Sequence, residues 1–257
     1  MREYKDMTRI SRVNSILSDN GRHARPSSIA GILILVFLCG LVPPAGAQNG
    51  NAHYPNMAPL DQYRTAKSSE EIALARSAAP VSISGDAEIM VLGSHGYEIA
   101  VKGKNGFVCI VERSWATSFE DAEFWNSKIR APMCFNPAAI RAVLPSYLKR
   151  TEWVLAGLSK AQIMDRAKTA QAAKGKYVTE AGAMCYMMSK QSYLSDAGGN
   201  WHPHLMFFFH STESAAWGAN LAGSPVMAHQ DDVEQETVFF IPVLHWSDGT
   251  LGPTEIK

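Results

Sequence analysis

Between Ala87 and Trp115 the chain carries three apolar-rich runs, 87–92, 97–102 and 107–115. They are separated by two Gly-bracketed tetrads, Gly93-Ser94-His95-Gly96 and Gly103-Lys104-Asn105-Gly106. Runs this short do not sustain helices, and glycine and asparagine tolerate the positive φ of tight turns, so the segment is confined to consecutive strands, a β-meander. Strand side chains alternate between faces. In the third run Phe107, Cys109, Val111 and Arg113 therefore share one face, and Val108, Ile110, Glu112 and Ser114 the other. Both faces are largely apolar, which predicts a central strand covered on both sides.

The cover is expected from helices on either side of this block. Upstream, Ser68 or Ser69 with Glu70 and Glu71 opens a short helix to about Ala78, and Pro80 ends it. Downstream, Asn136 is placed to cap a helix with Pro137 in its first turn, predicting a short helix over 138–144 that Pro145 interrupts. A longer helix follows from Ser146 or Thr151 past Lys168, with Gly157 a weak point, Ser159 a possible fresh cap and Gly175 its end. Residues 177–182 read as a loop. Strands resume over 183–188, at the His-rich segment 202–210 and over 237–243. The last of these follows a Gly/Ala/Ser/Pro stretch, 214–228, and an acidic patch, Asp231, Asp232, Glu234 and Glu236, read as a solvated loop. Strands that come in groups, with helices lumped between them, indicate an α+β fold. The expectation is a single domain over 81–257, a mainly antiparallel sheet of about six strands with two or three helices inserted between strand groups.

The N-terminus reads as an address. Six basic side chains precede an apolar run, 29–42, which is followed by Pro43-Pro44-Ala45-Gly46-Ala47. The run is short for a membrane span and its small residues suit a cleavage site, so 1–47 is expected to be a signal peptide, cut before Gln48. The alternative is an uncleaved leader acting as a membrane anchor. Cys39 lacks the preceding small residues of a lipoprotein signal. Residues 48–80 read as a disordered tail and the short helix, and the protein as exported, periplasmic or extracellular. Six basic and three acidic residues lie in 1–47, leaving 18 Lys+Arg against 21 Asp+Glu. A mildly acidic chain without a basic cluster excludes nucleic acid as a main partner, and leaves a membrane only through an uncleaved leader. Three cysteines remain, Cys109, Cys134 and Cys185. A Cys109–Cys134 bridge with a free, buried Cys185 is the favoured arrangement, and no spacing matches a zinc ribbon or a C-x-x-C pair.

Candidate chemistry concentrates in His202-Pro203-His204-Leu205-Met206-Phe207-Phe208-Phe209-His210. On a strand, His202, His204, Met206, Phe208 and His210 share a face that could hold a site, while Pro203, Leu205, Phe207 and Phe209 look like core. Residues two apart lie about 6.6 Å apart, so His202 and His204 could hold one metal ion with Met206 as a soft third ligand. His210, about 20 Å beyond His204, cannot join them. Met184, Met188 or Cys185 could add sulfur, and His95 is the preferred third nitrogen. Copper suits His with Met; an added carboxylate would favour zinc. The competing reading has His204 bonded to a backbone group or a carboxylate inside the sheet, with His202 ending the preceding loop, and a general-base role is a third. Ser146-Tyr147-Leu148-Lys149 matches S-x-x-K, but its partner motifs are missing. Two functions follow. One is a non-catalytic small-ligand or partner-binding module using Trp115, Trp125, Trp201 or Trp217; the alternative is a copper or zinc metalloprotein, or a metal-dependent enzyme, centred on the His-Pro-His strand.

Three segments, Lys104 to Arg113, Ala183 to Ser189 and Trp201 to Phe208, together resemble an uncharacterised family of exported bacterial proteins. The resemblance spans roughly Ser84 to Thr250. It implies an exported, single-domain protein and carries no activity, cofactor or catalytic residue.

Overall fold

A computed structural model describes residues 54–173 and 180–254. The expected signal peptide, residues 48–53, the helix end at Gly175 and residues 177–179 of the 177–182 loop lie outside the described residues. Gln48–Lys257 forms one compact unit. No described helix is long and apolar enough to cross a membrane.

Eight strands form one sheet: β1 (Glu88–Leu92), β2 (Tyr97–Val101), β3 (Val108–Glu112), β4 (Ala131–Phe135), β5 (Met184–Met187), β6 (His204–His210), β7 (Met227–Asp231) and β8 (Glu236–Pro242), in the order β2-β1-β3-β4-β5-β6-β8-β7. Five helices accompany it, α1 (Ser68–Arg76), α2 (Val81–Ser84), α3 (Pro137–Ala142), α4 (Leu144–Leu155) and α5 (Lys160–Ala173). The α+β class holds, but with eight strands rather than about six and five helices rather than two or three. The two extra strands are β4, which contains Pro132, and β7, whose Met-Ala-His-Gln-Asp sequence has no apolar alternation. Pro132 is tolerated because β5 pairs with β4 only at Cys134 and Phe135, so its missing N–H falls beyond the β5 ladder.

The expected meander is corrected at its third strand. β1 and β2 form the antiparallel hairpin, but β3 lies on the other side of β1 and runs parallel to it, Ile89 opposite Cys109. The reason is burial. β2 exposes Glu98, Ile99 and Ala100 and suits an edge, whereas every residue of β3 is buried and needs a central place between β1 and β4. The second tetrad makes the crossing. Lys104 N–H bonds Asp86 O at 2.7 Å, and a Cβ on Gly103 would sit 2.3 Å from the Glu88 nitrogen, so only glycine allows this approach.

The helices follow their local signals. Asn136 Oδ1 accepts the Ala139 N–H at 2.9 Å and caps α3. The helix breaks at Val143, just ahead of Pro145, which sits in the first turn of α4, where its missing N–H costs nothing. The single long helix is two: the chain breaks at Gly157, φ 79°, and restarts with Ser159 and Gln162 exchanging backbone-to-side-chain bonds in a capping box. Residues 54–59, expected in a disordered tail, are packed: Met57 and Ala58 lie against the Trp115 cluster, and Tyr54 Oη donates to Asp196 at 2.5 Å.

The two faces of the sheet are covered differently. On one, Ile89, Cys109, Val111 and Cys134 pack under Ala75 of α1 and the neighbouring Ala78. The Cys109–Cys134 disulfide joins directly opposed residues of β3 and β4 on this face. On the other, Ile110, Phe135, Cys185 and Phe208 pack under α3 and the start of α4. Cys185 is free and buried there.

Candidate functional site

Beyond the reach of α3 on this second face, a cavity of about 530 Å³ opens. Alternation brings its floor together. Glu112 ends β3, Met133 lies on β4, Met187 on β5, His204 and Met206 on β6, and Phe240 on β8. Register sets the neighbours: Met187 stands opposite His204, and Met206 opposite Phe240, which in turn stands opposite Met227. Tyr147 and Arg150 of α4 form one wall and Trp201 another. A volume of this size and an apolar floor with few polar groups are the marks of a small-molecule site.

Glu112 is the most unusual of these groups. It is 1% exposed, and neither carboxyl oxygen has a hydrogen-bond partner among the described residues. Burial pushes its carboxyl up to about 8 against the opposing pull of the Arg150 and Arg113 guanidiniums, so it is largely protonated at neutral pH. Arg150 does not reach it: Nη1 donates to Trp115 O at 3.0 Å and Thr117 O at 2.8 Å, Nη2 pairs with Glu234, and the guanidinium lies 4.3 Å from the Phe119 ring centre. Tyr147 is also held neutral, its hydroxyl raised first by burial and then by Glu236 and Glu112.

His204 is 2% exposed, and its Nδ1–H donates to His202 O at 2.7 Å. Burial lowers its ring to about 4, so it is neutral. With Nδ1 carrying the proton, Nε2 keeps a lone pair, and no described residue bonds it. The ring sits 4.7 Å from Trp201 and 5.9 Å from Phe240.

The residues singled out above are thus only partly united. His204 and Met206 border the cavity together; His202 does not, and contributes its carbonyl while its ring packs on Trp201 at 5.6 Å. β6 begins at His204, so His202 does end the preceding loop. His210 pairs opposite Glu236 at the far end of β6. His95 is exposed beside Ser94 in the β1–β2 turn, with β3, β4 and β5 between it and β6, and cannot be a third ligand. Met184 stands opposite Phe207 on the other face; the methionine beside His204 is Met187. Among the described residues no group of three or more His, Cys, Asp or Glu side chains is placed to hold a metal ion. The faces of β6 are corrected in part: the His204 and Met206 face borders the cavity but also carries the core, Met206 and Phe208 being buried, while Phe207 and Phe209 on the other face are half-buried, Phe209 stacking on a Trp217 that is 53% exposed. Of the four candidate tryptophans, Trp201 alone borders the cavity; Trp115 and Trp125 are core. Ser146 donates to Val143 O at 2.8 Å and Lys149 pairs with Glu152, so no serine–lysine dyad forms.

The acidic patch is not simply solvated. Asp231 Oδ1 accepts the Val233 and Glu234 N–H groups in the β7–β8 turn, and Glu234 pairs with Arg150 at the cavity wall. Glu112 was the missed site residue. Its signal was available, as the one acidic side chain on the Val108–Ile110 face of an apolar strand. No family model, curated protein or solved structure matches the chain.

Proposed function

We propose that this protein is an exported, non-catalytic binder of a small, largely apolar molecule, held in the cavity between the sheet and α4. The observation that carries the reading is the pairing of a 530 Å³ space with a buried carboxyl, Glu112, that has no hydrogen-bond partner among the described residues. A buried polar group left unsatisfied costs roughly 1–3 kcal/mol, and a ligand that bonds it recovers that cost. Four methionines, Met133, Met187, Met206 and Met227, border the space and adapt to varied apolar shapes. The disulfide supports export, since such bridges persist in oxidising compartments. The test is uptake of the neutral dye Nile red, whose emission rises in apolar surroundings. The wild-type protein is expected to enhance it, and Met187→Arg, which places a charge beside His204, to abolish the enhancement. Equal response from the two proteins would refute the site.

A second reading rests on one observation: Met187 directly opposite His204, with Met206 next along the same face, offers soft ligands around a free imidazole nitrogen. Cu(I) titration against a chromogenic chelator separates it from the first. Stoichiometric capture lost in His204→Ala would favour the metal; no capture leaves the apolar ligand.

A further inference from the structure

We infer that the cavity selects an apolar molecule carrying an ammonium group, and that Glu112 is the residue that receives it. The inference rests on the ligand-binding reading above and narrows it to a chemical class. Charge is the first argument. Five carboxyl side chains border the cavity, those of Glu112, Asp121, Asp231, Glu234 and Glu236, against two guanidiniums and no lysine. Both guanidiniums are engaged elsewhere. Arg113 bonds Glu71 and the Tyr63 and Val111 carbonyls, and Arg150 bonds Glu234 and two carbonyls. An anionic ligand would enter an acidic space where both guanidiniums are already ion-paired to carboxylates and only the buried Arg150 Nε lacks a partner among the described residues. A cationic one finds a carboxyl with both oxygens unused.

Aromatic geometry is the second argument. Trp201, His204 and Phe240 cluster with ring centres 4.7, 5.9 and 6.4 Å apart, and all three border the same cavity. The cluster lies at β6 and β8, three or more strand spacings or about 14 Å from Glu112 on β3, so it receives the apolar body of the molecule while Glu112 receives its ammonium head. Seating the ammonium draws the proton from the Glu112 carboxyl into solvent, and the resulting ion pair forms where little water screens it.

The test uses the full-length protein and three probes with one apolar body, naphthylethylamine, naphthylethanol and naphthylpropanoate, compared by isothermal titration calorimetry. The amine is expected to bind about tenfold or more tighter than the alcohol, and the carboxylate weakest. Glu112→Gln should bring the amine to the affinity of the alcohol and leave the alcohol within about twofold, which also shows that the variant is folded. If that variant fails to fold, the head-group order on the wild-type protein decides alone. Alcohol or carboxylate binding as tightly as the amine overturns the inference while leaving the cavity a ligand site, as does an amine preference that survives Glu112→Gln. If none of the three binds, the ligand reading falls with it.

Discussion

Glu112 and Arg113 are neighbours in sequence, both buried and both ionisable, and they end on opposite sides of one sheet with opposite fates. Arg113 is fully buried on the α1 face, where its guanidinium meets Glu71 at 2.9 Å and two backbone carbonyls. Glu71 in turn accepts the Leu92 N–H at 3.0 Å. Glu112 faces the cavity, and neither of its oxygens has a hydrogen-bond partner among the described residues. The first arrangement is a closed structural joint between α1, β1 and the end of β3. The second is an open valence. A buried polar group satisfied by its own protein builds the fold, whereas one left unsatisfied at a cavity wall is a group waiting for a partner.

The contrast is broken most severely on the closed side. Arg113→Ala strands Glu71 as a buried carboxylate and should cost about 3–5 kcal/mol in urea unfolding. If the loss stays below about 1 kcal/mol, the joint is not structural.

Glu112→Gln acts in the other direction. The carboxyl is raised in the folded state, so its ionisation stabilises the unfolded chain as pH climbs from about 4.5 to about 8. Wild-type stability should fall across that window with a slope approaching about 1.4 kcal/mol per pH unit from this group, and Glu112→Gln should remove that slope. The check is a set of denaturation midpoints from pH 5 to 9 for both proteins.

His204 sharpens the same comparison at acid pH. Its folded value lies near 4, below the 6.5 of a free ring, so its contribution is intact above about 6.5 and is lost as pH falls towards 4. His204→Gln should flatten that narrower limb, read in the same denaturation series between pH 4 and 7. The smallest effect lies away from both groups. Asn136→Ala removes the α3 cap and should cost about 1 kcal/mol without changing dye uptake.

Much of this is legible in the sequence. The two faces of β3, the Asn136 cap, the break at Gly157 and the start of β6 after Pro203 are local consequences of alternation, capping and proline geometry. The parallel pairing of β1 with β3 was not, because it depends on which strands need cover on both faces rather than on the turn between them. β7 was hidden because its pairing with β8 is held by the Asp231 turn and not by an apolar pattern. In the site, alternation placed His204 and Met206 together, but Met133, Met187 and Met227 read like core filling until the register set them around one space. Glu112 lies on an apolar face and was passed over there; its lack of a partner follows from where Arg113 and Arg150 turn, which spacing does not encode.

The central claim is that the cavity holds a carboxyl the protein itself leaves uncompensated. Carbon-13 NMR titration of the Glu112 side-chain carboxyl in the free protein tests it directly. A midpoint near 8 is the predicted result. A midpoint in the ordinary carboxylate range, about 4.3, would mean that solvent or a protein donor already satisfies the group, and would contradict the account.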